Sequence, residues 1–160
     1  MLDKNGVASL EQVKSRFPEQ TRLLKPKAII ECYEDIPCNP CSTSCPFHAI
    51  EIGDDINLQP RLNLDLCTGC GICVTSCPGL AIMTAELREN RAIFKIPYEF
   101  IPYPEVNSVW SGVNRDGKVI CDAIIEKVSL TSKQDKTALV TVSVDHKYLY
   151  DFVTVRTKNE

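Results

Sequence analysis

The cysteines of this chain of 160 residues are the side chains whose spacing points to chemistry. Four of the nine stand at Cys67, Cys70, Cys73 and Cys77, in the pattern C-x2-C-x2-C-x3-C, and Pro78 follows the last of them. Thiolate is a soft ligand that binds iron, zinc and copper in preference to magnesium or calcium. The run therefore predicts a metal centre held by sulfur.

A second cysteine run precedes this one and repeats it. Six residues of the earlier run recur 32 positions later: Cys38, Cys41, Cys45, Pro46, Ala49 and Ile50 correspond to Cys70, Cys73, Cys77, Pro78, Ala81 and Ile82. Matches at one offset indicate an internal duplication, so the two halves are expected to share one local structure.

The spacing of the second run is that of the bacterial-type ligand run for iron–sulfur clusters, in which the fourth cysteine reaches the other cluster. A four-iron cube needs one thiolate ligand at each of its four iron atoms, and a tight loop supplies only three. The sequence therefore predicts two [4Fe-4S] clusters. One of them is called cluster two here. Its expected ligands are Cys67, Cys70 and Cys73, together with Cys45 of the first run.

Cluster one is expected to bind Cys38, Cys41 and Cys77, but its fourth ligand is ambiguous. The repeat places Asp35 where Cys67 stands in the second half, whereas the nearest upstream thiol is Cys32. A three-residue insertion between Cys32 and Cys38 explains the difference. We expect Cys32 to be the ligand because thiolate suits iron better than carboxylate. A three-iron cluster is expected if neither residue binds.

Zinc is the alternative for the cysteines, although zinc sites usually show two C-x2-C pairs separated by a longer gap. No catalytic residues are expected, because the chain lacks a dinucleotide fingerprint, a P-loop and a nucleophile constellation. Packing or surface roles are expected for the remaining candidate side chains, Cys121, His48, His146, Trp110, Tyr98 and Tyr103.

The elements that must position the cysteines form an α+β fold with a pseudo-twofold dicluster core. Each half is expected to contain a short strand, at 28–31 or 61–64, then a cysteine loop, a helical turn and a second strand. The strands after the helical turns begin near residues 49–50 and 81–82. Neither half could bury its cluster alone, so the halves are expected to close on each other. The whole dicluster domain is predicted over residues 28–95.

Three further segments surround this core. Residues 1–27 form a basic arm of net charge +3, with a Ser9-capped helix predicted over 9–17. Prolines make 96–108 an extended connector. Residues 109–160 are predicted to form a small antiparallel β module, with a hairpin turn at 114–117 and strands at 137–144 and 153–155.

Charge and hydropathy limit the classes of function. Residues 28–160 carry a net charge of −6, whereas nucleic-acid binding favours a basic face, so no nucleic-acid partner is expected. The first residues lack the apolar segment of a secretory signal, and no apolar run approaches the ~18 residues of a membrane span. We expect a cytoplasmic location, in which cysteine clusters bind metals more often than they form disulfides.

Residues 28–83 resemble the bacterial-type two-[4Fe-4S] ferredoxins, with a complete second run and an insertion in the first. The segment Ile36-Pro37-Cys38-Asn39-Pro40-Cys41, the basic arm and the β tail are similar to ferredoxin-like small subunits of FAD-dependent amino-acid or amine dehydrogenases. This resemblance implies a hetero-oligomer with FAD-containing dehydrogenase subunits, in which the chain relays single electrons between a flavin site and another cofactor or acceptor. A free, diffusible ferredoxin is the alternative.

Overall fold

The computed structural model describes residues 1–158 and shows a mixed α/β fold with few helices and a mostly antiparallel sheet. The helices are α1 (Leu10–Arg16), α2 (Pro40–Ser44) and α3 (Ile72–Ser76), with 3-10 turns at Gln20–Leu24, Ser132–Gln134 and His146–Tyr148. The strands are β1 (Lys27–Ile30), β2 (Ile50–Glu51), β3 (Arg61–Leu62), β4 (Ile82–Arg88), β5 (Arg91–Tyr98), β6 (Val109–Asn114), β7 (Val119–Ser129), β8 (Ala138–Asp145) and β9 (Phe152–Arg156). Within the described residues, no helix is long and apolar enough to cross a membrane.

The duplicated halves have matching structures, β1-α2-β2 and β3-α3-β4. Strand β1 pairs antiparallel with β4, and β2 pairs antiparallel with β3. Exchanging the two halves leaves this pairing unchanged, which is the property of a pseudo-twofold arrangement. His48 and Leu80, which are 32 residues apart, both have a φ of 52°. The turn after each Cys-Pro pair is therefore repeated in detail.

Seven strands form one antiparallel sheet in the order β1-β4-β5-β8-β7-β6-β9. The predicted β module at 109–160 thus contributes strands to the same sheet as β4 and β5 of the dicluster region. Strand β5 pairs with β8 along its full length, from Arg91 opposite Asp145 to Tyr98 opposite Ala138. This pairing carries β5 two residues beyond Ile96, where the apolar run in the sequence ends. The predicted connector begins inside this strand.

The main core lies on one face of the curved sheet. The alternation in β8 correctly predicts its buried face, because Ala138, Val140, Val142 and Val144 are all fully buried. The rings of Phe94 in β5 and Phe152 in β9 lie 4.7 Å apart, although three strands separate β5 from β9 in the sheet. The sheet must therefore curl strongly, and its concave face encloses the core.

The N-terminal arm packs on this core. The predicted cap is confirmed, since Ser9 and Gln12 form a reciprocal capping box at the start of α1. The apolar side of the arm, Val13, Phe17 and Leu23, is buried in the cluster of residues that the sheet forms. The arm therefore lies on the body of this same chain.

Candidate iron–sulfur site

Four cysteines from the two runs line one cavity. The cavity is partly open to solvent, and Cys45, Cys67, Cys70 and Cys73 all contribute to its wall. These are the four residues that spacing assigns to cluster two. Among residues 1–158, no three His, Cys, Asp or Glu side chains are grouped as a single metal ion requires. A four-iron cube is larger than a single metal ion and binds one thiolate at each of its iron atoms. Its ligands therefore stand further apart than those of a single ion.

The loop that carries Cys67 and Cys70 depends on two glycines. Gly69 and Gly71 have φ values of 70° and 88°, a region that side chains with a Cβ rarely adopt. A Cβ on Gly69 would lie 2.5 Å from the carbonyl oxygen of Pro26, and one on Gly71 would lie 2.7 Å from Cδ2 of Leu139. Both glycines are therefore required by the backbone conformation and by the close packing of the arm and of β8.

Two lysines anchor the same loop. Lys27 Nζ donates to the carbonyl oxygens of Leu64 and Cys67, each at 2.7 Å, and Lys95 Nζ donates to the carbonyl oxygen of Gly69 at 2.7 Å. No motif in the sequence singles out Lys27 or Lys95, because their partners are 26 to 40 residues away along the chain. The anchors fix the position of the loop relative to β1 and β5.

Backbone amides donate to three of the candidate sulfurs. The N–H of Ala49 faces Cys45 Sγ, and the N–H of Ala81 faces Cys77 Sγ, both at 3.4 Å. These two contacts are 32 residues apart and repeat each other. The N–H of Ala28 lies 3.4 Å from Cys67 Sγ. These contacts fix the positions of the three sulfurs relative to the backbone.

The four cysteines predicted for cluster one are also neighbours. Burial raises the pKa of the Cys41 thiol to about 11, and the charges of Cys77, Cys38 and Cys32 add to the shift. Burial likewise raises the pKa of Cys32, with Cys77 and Cys38 as the next causes. The neighbouring thiols contribute to both shifts because they lie close to Cys32 and Cys41. The structure thus brings the four thiols into one group.

The two groups of thiols adjoin each other. Burial raises the pKa of the Cys73 thiol to about 12, and the charges of Cys67, Cys70, Cys45 and Cys41 follow as causes. Three of these belong to the same group as Cys73, whereas Cys41 belongs to the other. Thiols must lose their protons to bind iron, so these raised pKa values mean that metal binding releases protons from both groups.

Asp35, which the repeat places opposite Cys67, has a hydrogen-bond partner outside the cysteine runs. Its side chain is exposed, and Oδ1 accepts a hydrogen bond from Gln59 Nε2 at 3.1 Å. Cys32 is half-buried beside Cys38 and Cys77. The placement therefore favours Cys32 over Asp35 as the fourth member of this group.

The remaining candidate side chains have packing or surface positions. Cys121 is half-buried in β7, and its Sγ lies over Gly112, where an added Cβ would be only 2.5 Å away. Both histidines are exposed. The rings of Tyr98 and Trp110 pack edge to face at 5.8 Å in the core, and the Tyr103 hydroxyl donates to the carbonyl oxygen of Lys136 at 2.6 Å.

Comparison with known proteins identifies the dicluster segment. Residues 36–81 match the family described as the 4Fe-4S dicluster domain. The ferredoxin-type protein NapF of Haemophilus influenzae is 40% identical over 57 residues, covering 34% of this chain and 32% of the relative. NapF of Escherichia coli K12 is 45% identical over 56 residues, covering 34% of each chain.

A third relative belongs to the Na(+)-translocating ferredoxin:NAD(+) oxidoreductase complex of Acetobacterium woodii, of which it is one subunit, and is 42% identical over 55 residues. That match covers 34% of this chain and 16% of the relative. The chain thus spans about a third or less of the length of these curated relatives. No solved structure matches it significantly.

The family match decides between iron–sulfur clusters and zinc. Seven of the eight candidate ligands lie within the matched residues 36–81, and Cys32 lies just before them. The match covers the duplicated runs and leaves the arm and most of the seven-stranded sheet outside. Residues 36–81 are a 4Fe-4S dicluster domain, and the cofactors of this chain are two [4Fe-4S] clusters.

Proposed function

We propose that the chain is an electron-transfer subunit of a multi-subunit oxidoreductase. The observation that carries this proposal is the interleaving of the two cysteine runs, in which Cys45 of the first run joins three cysteines of the second around one cavity. The clusters supply single-electron redox chemistry. Two adjoining groups of thiols allow two redox centres side by side, which suits a relay.

The ligand sets follow from the grouping of the thiols. Cluster two is held by Cys67, Cys70, Cys73 and Cys45, which share the cavity wall. Cluster one is held by Cys32, Cys38, Cys41 and Cys77, and the charges of the neighbouring thiols contribute to the raised pKa values of Cys32 and Cys41. The exposed position of Asp35 and its bond to Gln59 support the choice of Cys32.

The cavity of cluster two has an exposed apolar rim. Cys70 is exposed, and Phe47 and Ile72, which both line the cavity, are each 43% exposed. Electron transfer requires a partner to approach closely, and apolar side chains at the contact help to exclude water. The rim is therefore the proposed point of approach for a redox partner.

The structure around the loop that carries Cys67 and Cys70 favours a subunit of a complex over a small, free electron carrier. Strands β5 and β8 contact this loop through Lys95 and Leu139, so the seven-stranded sheet is structurally joined to the cluster site. A carrier of two clusters needs neither this sheet nor the arm. One relative is also named as a subunit of an oxidoreductase complex.

The finer assignment is a cytoplasmic complex with FAD-containing dehydrogenase subunits of the amino-acid or amine type. Its support is the resemblance of the layout, namely the segment 36–41, the basic arm and the β tail. A free ferredoxin is the second candidate function, favoured by the exposure of Cys70 and by relatives named as ferredoxin-type proteins.

Anaerobic purification of the tagged full-length chain from its native host tests the proposal. We expect about eight irons and eight sulfides per chain for two cubes, together with a co-purifying flavin-containing subunit in fixed ratio. A monodisperse monomer that reduces several unrelated acceptors would instead establish the free ferredoxin. Complex formation with subunits that lack flavin would reject the finer assignment alone.

A further inference from the structure

Ser44, the last residue of α2, has a buried hydroxyl group without a hydrogen-bond partner. Its Oγ is the single buried side-chain polar atom of this kind among the described residues. A buried hydroxyl that has lost water and gained no partner is unfavourable, and such a group calls for an acceptor that is not part of the polypeptide. Ser44 directly precedes Cys45, one of the proposed ligands.

The other hydroxyl groups of α2 all have acceptors within the chain. Ser42 Oγ donates to the carbonyl oxygen of Ile50 at 3.0 Å. Thr43 Oγ1 lies 3.3 Å from the carbonyl oxygen of Pro40 and 3.4 Å from that of Asn39. Short helices commonly satisfy their hydroxyl groups in this way, so Ser44 departs from the pattern of its own helix.

The duplicated half provides an internal comparison. Ser76 is the equivalent of Ser44, 32 residues later, and its Oγ donates to the carbonyl oxygen of Ile72 at 2.8 Å. That carbonyl also accepts from Thr75 Oγ1 at 3.3 Å. Thr75 and Thr43 therefore bond alike, and one carbonyl can serve two hydroxyl groups. The lack of a partner at Ser44 does not arise from competition with Thr43.

Ser44 and Cys41 lie three residues apart on α2. Residues three apart share a helix face, and helical side chains lean towards the N-terminus. Ser44 stands three residues after Cys41, whose thiol is buried among those of Cys32, Cys38 and Cys77. The unpartnered hydroxyl therefore lies on the face of α2 that carries a proposed ligand of cluster one.

We propose that the Ser44 hydroxyl donates a hydrogen bond to a sulfur atom of cluster one and raises the reduction potential of this cluster. The proposal rests on the ligand set proposed above. Reduction adds negative charge to the cluster, and a donor to sulfur stabilises the more negative state. Ser76, whose hydroxyl is already bonded to Ile72, makes no corresponding contribution at cluster two.

Redox titration of the holoprotein, monitored by electron paramagnetic resonance, tests the proposal with matched variants. Ser44→Ala is expected to shift the potential of one cluster to a more negative value and to leave the other unchanged. Ser76→Ala is expected to leave both unchanged, and Ser44→Thr, which keeps the hydroxyl, is expected to retain the wild-type potential. The shifted signal is expected to be the one that Cys32→Ser alters.

An independent readout is the magnetic coupling of exchangeable protons. After transfer to D2O, pulsed electron paramagnetic resonance of cluster one is expected to lose one deuteron coupling in Ser44→Ala and none in Ser76→Ala. Identical potentials and couplings in the wild type and Ser44→Ala would overturn the proposal, as would equal shifts in both alanine variants. A wild-type protein with no reducible cluster would overturn the proposed function as well.

Discussion

Arg115 and Glu31, which are 84 residues apart, form a bidentate ion pair, with Nε to Oε1 at 2.8 Å and Nη2 to Oε2 at 2.9 Å. The two side chains are only 13% and 11% exposed, respectively. The Tyr33 hydroxyl donates a hydrogen bond to Glu31 Oε1 at 2.9 Å. Because Cys32 lies between Glu31 and Tyr33, the turn between β6 and β7 holds the segment that carries this cysteine.

Arg115→Ala is expected to destabilise the holoprotein by about 3–5 kcal/mol, because it leaves the Glu31 carboxylate buried without its partner. Chemical denaturation followed by cluster absorbance measures the loss. Arg22 provides a matched control, since its ion pair with Asp65 is exposed and its removal is expected to cost about 1 kcal/mol or less. Equal losses in the two variants would mean that the Arg115 pair has no special role.

Cys32→Ala is expected to damage one cluster, whereas Asp35→Ala leaves both intact. The Cys32 thiol lies beside those of Cys38 and Cys77, and the Asp35 carboxylate accepts a hydrogen bond from Gln59. Iron content and the electron paramagnetic resonance signal of a three-iron species are the measurements. If Asp35→Ala alone removes a cluster, the carboxylate is the ligand and the assignment of Cys32 fails.

Gly69→Ala is expected to abolish assembly of cluster two. The substitution combines a φ of 70° with a Cβ placed 2.5 Å from the backbone oxygen of Pro26, which cannot move independently of the arm. Gly6→Ala is the control, because Gly6 has a φ of 71° and open space around it. Its cost is expected to be the conformational term of about 1–2 kcal/mol alone. Iron content measures assembly, and full iron content in Gly69→Ala would contradict the prediction.

Lys95→Met is expected to accelerate the loss of cluster two in air, because the Gly69 carbonyl loses its 2.7 Å donor. Methionine keeps most of the apolar stem, and the missing hydrogen bond is expected to cost about 1–3 kcal/mol. The rate of bleaching of cluster absorbance is the measurement. Lys118→Met, at an exposed position before β7, is expected to bleach at the wild-type rate. A wild-type rate for Lys95→Met would show that the anchor is dispensable.

Local features of the sequence predicted the cofactor and part of the fold. The cysteine spacing identified the cofactor because three ligands of a cube come from one short loop, whose geometry depends on neighbours along the chain. The capping box at Ser9 and Gln12 and the alternation in β8 are also local, and both are confirmed.

The tertiary structure decided the contacts that no local pattern encodes. The union of β4 and β5 with β6–β9 in one sheet depends on strand pairing, which hydrophobic periodicity does not specify. The same holds for the Arg115 to Glu31 pair and for Leu139 against Gly71, whose partners meet only after the sheet curls. In the first run, where three residues are inserted between Cys32 and Cys38, the repeat by itself places Asp35 at the position that corresponds to Cys67. Its carboxylate accepts a hydrogen bond from Gln59, and only the folded chain brings those two residues together.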